Sequence, residues 1–99
     1  MYLFIISIKR LFSHIVGAEF YIGGAGELCP NSLVIGDKND CELAVSQLRD
    51  AGINIRLDID QHDQRYPFGC YRWKTSASAR WNSKSKGKAN TNARPICKK

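Results

Sequence analysis

The cysteines are the residues whose type and spacing point to the most definite chemistry. The chain of 99 residues contains four of them, namely Cys29, Cys41, Cys70 and Cys97. None stands in a C-x2-4-C pair, the spacing with which one tight turn presents two thiolates to a zinc ion. Domains of this size bury a modest share of their surface and often gain stability from disulfides. The cysteines therefore favour two disulfides over free thiols or a metal site, and disulfides indicate an oxidising compartment.

The connectivity of these cysteines is open, because four cysteines allow three pairings and the sequence alone does not choose among them. We expect Cys41 to pair with Cys70, since the first lies on the apolar face of a predicted helix and the second in an apolar stretch. Cys29 and Cys97 would then tie the two ends of the module together. The alternative is local pairing, in which Cys29 joins Cys41 and Cys70 joins Cys97.

Other residues that could do chemistry form no complete motif. Asp58, Asp60 and Asp63 resemble the start of a calcium loop, but the glycine and the late glutamate of that loop are missing. His62 and the lone His14 could act as acids or bases, yet no motif places a serine or cysteine beside them. We therefore expect no catalytic residue, no metal and no cofactor. A small hydrolase that uses His62 and a nearby carboxylate is the enzymatic rival.

A single helix is predicted from about Asp40 to Ala51. Asn39 with Glu42 three residues later forms a capping-box pattern at its start, and Gly52 provides a left-handed stop at its end. The apolar residues that recur on one helical face are Cys41, Ala44, Val45 and Leu48. This face is expected to pack on the rest of the module.

Short strands are predicted after the helix. Asn54 to Ile59 alternates polar and apolar residues, and Cys70 to Trp73 and Ala79 to Asn82 are further strand candidates. Ser83 to Arg94 has almost no apolar content and is expected to be an irregular loop, after which Pro95 to Cys97 returns to the body. The predicted fold class is α+β, a small disulfide-stapled module with one helix packed on a short antiparallel sheet.

The N-terminal part of the chain reads differently from the rest. Residues 1–26 are interpreted as an apolar leader or linker, and residues 27–99 as the four-cysteine module. Lys9 and Arg10 interrupt the apolar run, so it does not reach the length of a membrane span. The basic pair of a signal peptide should precede the apolar core rather than divide it. A secretory signal, an ordered element packed on the module and a truncated or mispredicted start all stay open.

Charge divides the chain into halves of opposite sign. From Glu27 to Asp63 there are eight acidic and three basic residues, whereas Gln64 to Lys99 holds ten basic residues and no acidic one. One interpretation is polyanion binding by cations that are interleaved with Tyr71, Trp73 and Trp81. The candidate binding residues are Arg72, Lys74, Arg80, Trp81, Lys84, Lys86 and Lys88. The alternative is that the halves pair across the fold, the lysines are solvated surface and the aromatic side chains are packing.

Several segments resemble an uncharacterised cysteine-rich module found in predicted proteins of microalgae. The segments are Cys41-Glu42-Leu43-Ala44 with Leu48, Tyr66-Pro67-Phe68-Gly69-Cys70-Tyr71, Trp81-Asn82, Gly87 and Pro95-Ile96-Cys97-Lys98. The resemblance covers about residues 29–99, and its Pro-x-Gly-Cys-Tyr and Ile-Cys-Lys pieces are the most specific. It implies secretion and disulfides, and it assigns no activity and no catalytic or binding residue.

These observations favour a non-catalytic, secreted interaction module that recognises carbohydrate or another polyanion. A protein partner is a further possibility, nucleic acid is a less favoured one, and no transmembrane span is expected. The rival from another class is a basic nucleic-acid-binding protein, which free thiols would support. A fragment of a larger secreted protein with a purely structural role is the third interpretation.

Overall fold

The described part of the chain, residues 19–99 of a computed structural model, folds as one helix packed on a five-stranded sheet. The strands are β1 (Phe20–Ile22), β2 (Arg56–Gln61), β3 (Gly69–Trp73), β4 (Ser78–Asn82) and β5 (Ala93–Lys98), and the helix is α1 (Lys38–Asp50). One turn of 3-10 helix (Asn31–Leu33) precedes α1. The predicted α+β class, with one helix on a small sheet, is confirmed.

The strand order in the sheet is β1-β5-β3-β4-β2. The pairings β1 with β5, β5 with β3, and β3 with β4 are antiparallel, whereas β2 runs parallel to β4. The chain reverses direction between β2 and β3 and again between β3 and β4, so β4 runs in the direction of β2. Because β4 inserts between β2 and β3, its pairing with β2 is parallel, and the expectation of a purely antiparallel sheet was wrong for this strand.

The sheet begins within the segment that the sequence assigned to a leader or linker. Phe20 pairs with Lys98 and Ile22 with Ile96, so β1 forms an edge of the sheet beside β5. The Phe20 side chain belongs to the core. The ordered module therefore starts before Glu27, while residues 1–18 of the leader or linker predicted over residues 1–26 lie outside the described residues.

The start of α1 differs from the predicted capping box. The side chain of Asp37 caps the helix, because its Oδ1 accepts a hydrogen bond of 2.8 Å from the Asp40 N–H. Asn39 stands one residue inside the helix and does not cap it. The helix begins at Lys38, two residues earlier than predicted, so an aspartate, which is as good a capping residue as asparagine, takes that role.

The end of α1 follows the prediction. Gly52 has a φ of +101°, and its N–H donates to the Arg49 carbonyl at 2.9 Å. The next N–H, that of Ile53, donates to the Leu48 carbonyl at 3.1 Å. These two bonds satisfy carbonyls that the last helical turn would leave unpaired.

The core lies between α1 and the sheet, and both disulfides have the predicted connectivity. Cys41–Cys70 joins α1 to β3, and Cys29–Cys97 joins the segment before α1 to β5. The buried apolar residues of this core are Phe20, Ile35, Cys41, Ala44, Val45, Leu48, Ile55, Cys70, Ala79, Trp81 and Ile96. The apolar helical face predicted from the sequence is therefore the face that packs on the sheet.

Candidate functional site

The register of β3 and β4 decides which side chains face away from the helix. Cys70 faces α1, because it is bonded to Cys41, and Trp81 stands directly opposite it on β4. Tyr71 and Arg80 are the next opposed pair. Since successive side chains of a strand point to opposite faces, this pair lies on the face that α1 does not cover. We call this side of the sheet the back face.

Three aromatic side chains form a cluster on the back face. Tyr66, Tyr71 and Trp73 make up this back-face cluster. The rings of Tyr66 and Tyr71 stack with their centroids 5.7 Å apart, and Tyr66 meets Trp73 edge to face at 5.8 Å. Tyr71 is fully buried, while Tyr66 and Trp73 are half-buried. Tyr66 and Trp73 are therefore partly accessible to solvent, whereas Tyr71 is the buried member of the cluster.

Tyr71 is held in place by its hydroxyl group as well as its ring. The hydroxyl donates a short hydrogen bond to Oε1 of Gln61 on β2. Burial raises the pKa of Tyr71 above 10.0, although the neighbouring Arg80 acts in the opposite direction. The Tyr71 side chain is thus a neutral phenol, and its hydrogen bond to Gln61 connects strands β3 and β2.

Cations lie over the exposed rings of this cluster. The guanidinium carbon of Arg80 is 4.5 Å from the Trp73 centroid, and Nζ of Lys74 is 5.5 Å from the same centroid. Arg65 lies over Tyr66 at 5.5 Å. The negative face of an aromatic ring attracts a cation at such distances. The rings therefore hold three positive charges at defined positions on the back face.

Two of these three cations take part in no salt bridge within the described residues. Arg65 pairs with Asp63 at 2.7 Å, whereas Lys74 and Arg80 pair with no carboxylate in the part of the chain described. Arg80 makes a weak contact of 3.4 Å from Nε to the Ser78 hydroxyl, which itself donates to Asp58. The charges of Lys74 and Arg80 are therefore available to a ligand.

The expected pairing of the acidic and basic halves is not found in residues 19–99. The two salt bridges recorded there are Lys38–Asp60, within the acidic half, and Arg65–Asp63, between residues two positions apart. Neither connects distant parts of the two halves. The alternative that the halves pair across the fold is therefore not supported by a salt bridge between distant residues in the part of the chain described.

Asn82 organises the segment that carries Tyr66. Its buried side-chain amide donates to the carbonyl groups of Asp63, Tyr66 and Pro67 at 2.8, 3.0 and 3.1 Å. Its Oδ1 accepts from the N–H of Asp63 at 2.9 Å and from that of Lys84 at 3.3 Å. No sequence pattern predicts this role, although the Trp81-Asn82 pair belongs to the family resemblance.

The irregular segment 83–92, here called the basic loop, borders the cluster. Lys84 is half-buried, while Lys86 and Lys88 are exposed. Three hydrogen bonds fix the loop along the edge of the cluster: Lys88 N–H to the Tyr66 carbonyl at 3.0 Å, Asn90 Nδ2 to the Arg65 carbonyl at 3.1 Å, and Lys74 N–H to the Asn92 carbonyl at 2.7 Å. The backbone of the basic loop thus runs beside the segment that carries Arg65 and Tyr66 and ends next to Lys74.

Gly87 allows the basic loop to approach this segment closely. A β-carbon at position 87 would lie 2.7 Å from the Phe68 nitrogen and would clash with the Tyr66 carbonyl. Both atoms belong to the backbone, so neither can turn aside as a flexible side chain could. A glycine is therefore needed for the loop to pack on the turn that precedes β3.

Two of the candidate binding residues lie elsewhere. Trp81 is 9% exposed and packs edge to face on Phe68 at 5.7 Å, so it belongs to the core. Arg72 stands opposite Ala79, a core residue, on the α1 side of the sheet. The alternative reading as core packing is correct for Trp81 and for the fully buried Tyr71. Of the three aromatic residues interleaved with the cations, Trp73 is the one that reaches the surface.

His62 is not joined to a carboxylate in the described residues. Its Nδ1 lies 2.9 Å from the Ser83 hydroxyl, and both side chains are exposed. The neighbouring Asp63 carboxylate is taken by three hydrogen-bonding contacts from the Arg65 guanidinium group. The histidine–carboxylate pair of the hydrolase hypothesis is thus not assembled, and the histidine–serine contact was not foreseen.

Each of the three aspartates of the partial calcium loop is engaged by another side chain. Asp58 accepts from Ser78, Asp60 pairs with Lys38, and Asp63 pairs with Arg65. Among residues 19–99 no group of three or more metal-ligating side chains occurs. No helix in the same range is long and apolar enough to cross a membrane.

The chain matches no protein-family model, no curated protein and no solved structure. The resemblance to the microalgal cysteine-rich module therefore stays a prediction.

Proposed function

We propose that this chain is a non-catalytic, secreted binding module that recognises acidic polysaccharides through the back face of its sheet. The observation that carries the proposal is the position of Lys74 and Arg80, both held over the Trp73 ring and neither in a salt bridge within the described residues. The basic loop beside them adds three lysines. These five cations belong to residues 64–99, which hold ten basic residues and no acidic one.

The way these cations are held favours binding of an anionic ligand. A side chain that is already ordered loses less conformational entropy when a ligand binds, so the binding free energy is more favourable. The Trp73 ring orders both cations without neutralising them. Residues 64–99 carry no carboxylate side chain that could compete with a ligand. The second half of the chain therefore suits a polymer with regularly spaced negative groups.

A polysaccharide suits this surface better than a nucleic acid. Proteins that bind single strands stack successive bases on exposed aromatic rings. Here Tyr71 and Trp81 are buried and the Trp73 ring is occupied by cations, so a series of open rings is lacking on the described surface. The two disulfides support an oxidising compartment, where acidic polysaccharides are the common polyanions.

The test is binding of the oxidised protein to polymers of known charge. We expect binding to heparin, which carries sulfate groups, and to polygalacturonate, which carries only carboxylates, and no binding to neutral dextran. The affinity for both acidic polymers should fall as salt is raised, because bound cations are released. Equal binding to dextran would overturn the proposal, and tighter binding to single-stranded DNA than to both acidic polymers would favour the nucleic-acid alternative.

A pair of charge-matched variants locates the binding surface. The double variant Lys74→Gln with Arg80→Gln removes two charges from the back face. The control, Arg49→Gln with Lys99→Gln, removes two charges from α1 and from the residue after β5. We expect the first to lose most of the affinity for heparin and the second to keep most of it. Equal losses in the two variants would contradict a role for the back face.

A further inference from the structure

The turn between β3 and β4 has an unusual backbone conformation at Lys74. Its φ of +54° makes it the one non-glycine residue with a positive φ among residues 19–99. Residues other than glycine, asparagine and aspartate rarely adopt this left-handed backbone conformation, because their β-carbon approaches the carbonyl oxygen. Glycine at this position would be free of that cost. The presence of lysine instead therefore points to a role for its side chain.

Arg72 fixes this turn through its backbone carbonyls. Its Nε donates to the Ser76 carbonyl at 2.7 Å and its Nη2 to the Thr75 carbonyl at 3.2 Å. The Ser76 hydroxyl donates to the Trp73 carbonyl at 2.6 Å. The guanidinium group is therefore engaged with the turn that presents Lys74, on the α1 side of the strand.

We propose that Lys74 and Arg80 form an anion subsite on the back face, which takes one sulfate or carboxylate group of an acidic sugar. Arg72 positions Lys74 without touching the ligand. This inference rests on the proposed function. Of the two basic residues in β3 and the following turn, Lys74 contacts the ligand and Arg72 holds the turn that carries Lys74. Arg72, a candidate binding residue from the sequence, thereby receives a different role.

The substitution Arg72→Lys separates the two roles. Lysine keeps the positive charge, but it cannot reproduce the forked pair of bonds to two carbonyls. A residue that attracts the ligand by charge alone should tolerate this change, whereas a positioning residue should not. We expect Arg72→Lys to weaken the affinity for a heparin hexasaccharide several-fold, in spite of its unchanged net charge. An unchanged affinity would overturn the positioning role.

A double-mutant cycle tests whether Arg72 acts through Lys74. The hexasaccharide affinity is measured for the wild type, Arg72→Lys, Lys74→Gln and the double variant. We expect Lys74→Gln to weaken binding about as much as the double variant does, because Arg72 has nothing left to position. If the fold-losses of affinity from the two single variants multiply in the double variant, Arg72 acts independently of Lys74. An unchanged affinity of Lys74→Gln would remove Lys74 from the subsite.

Ser76→Ala provides a second variant of the turn that leaves every charge in place. Ser76 is exposed, so the fold should tolerate the change even if Arg72→Lys unfolds the protein. The turn loses the bond to the Trp73 carbonyl, and we expect a smaller loss of affinity that disappears in the Lys74→Gln background. A loss of the same size in both backgrounds would contradict the inference.

Arg80→Gln separates this inference from the proposed function. Wild-type protein that fails to bind the hexasaccharide would refute both. Wild-type binding that Arg80→Gln weakens, together with multiplying effects at positions 72 and 74, would keep the back face as the binding surface and refute only the positioning by Arg72.

Discussion

The Arg80 guanidinium carbon lies 4.5 Å from the centroid of the Trp73 ring, across the antiparallel pair β3 and β4. Arg80 is opposed to Tyr71, so Trp73 is its diagonal neighbour on the same face, a separation that long side chains can span. The register of two strands, rather than a sequence motif, thus creates the central feature of the back face.

The disulfide between α1 and β3 should contribute strongly to stability. Replacement of Cys41 and Cys70 by alanine opens a loop with a sequence separation of 29 residues. Loop-closure entropy predicts a loss of roughly 3 to 4 kcal/mol in the free energy of unfolding, less if the unfolded chain retains structure. Urea unfolding without reductant measures it. The matched variant at Cys29 and Cys97 should lose at least as much, and an unchanged urea midpoint in either would contradict this account.

Asn82 should be difficult to replace. Its buried amide satisfies three carbonyl groups and one N–H group of the segment before β3, together with the N–H group of Lys84. Asn82→Ala leaves several of these groups unpaired, and we expect a loss of about 2 to 4 kcal/mol in unfolding free energy. The control is Asn54→Ala, at an exposed position. Similar unfolding curves for the two variants would show that the Asn82 hydrogen bonds contribute little.

Gly87→Ala should displace the basic loop from the Tyr66 segment. The new methyl group would meet backbone atoms of Tyr66 and Phe68, so the loop has to move or the fold has to absorb the overlap at a cost of about 1 to 3 kcal/mol. The control is Gly36→Ala, because a β-carbon at that position has no atom within 4 Å. Hydrogen exchange of the Lys88 amide, which donates to Tyr66, reports the displacement. Unchanged protection would refute the close packing.

Part of the fold follows from local sequence patterns. The spacing of Cys41, Ala44, Val45 and Leu48 predicted the buried helical face, and Gly52 predicted its end, because both depend on residues within a few turns. The same pattern favoured the pairing of Cys41 with Cys70 without excluding the other pairings, since a cysteine on a buried face is expected to find its partner in the core. These features need no knowledge of the strand order.

The remaining features of the fold depend on contacts between residues far apart in the chain, which no local sequence pattern predicts. β1 is three residues long and finds its partner, β5, at the other end of the chain. The exposed or buried state of Trp73 and Trp81 is decided by which strand residues face α1, and either assignment fits the alternation of the sequence. Asn82 likewise shows no pattern, because the carbonyl groups to which it donates lie 15 or more residues earlier in the chain.

The ion pair beside the cluster should be visible in an acid titration. Hydrogen bonding from the Arg65 side chain lowers the pKa of Asp63 from 3.8 to about 2. Because the pKa is lower in the folded state, the stabilisation is present above pH 3.8 and is lost as the pH falls through about 2. Carboxyl NMR titration should give a midpoint near 2 in the wild type and a higher one in Arg65→Gln. A wild-type midpoint at the ordinary value would show that the pair does not persist in solution.

The two tryptophans allow the most direct test of binding at the back face. Trp73 lies under Lys74 and Arg80, whereas Trp81 is buried in the core on the other side of the sheet. The measurement is the NMR shift of the two indole N–H signals of the oxidised protein during titration with a heparin hexasaccharide. The account predicts a saturable shift of the Trp73 signal and little change at Trp81. Binding that leaves the Trp73 signal in place, or shifts both signals equally, would contradict it.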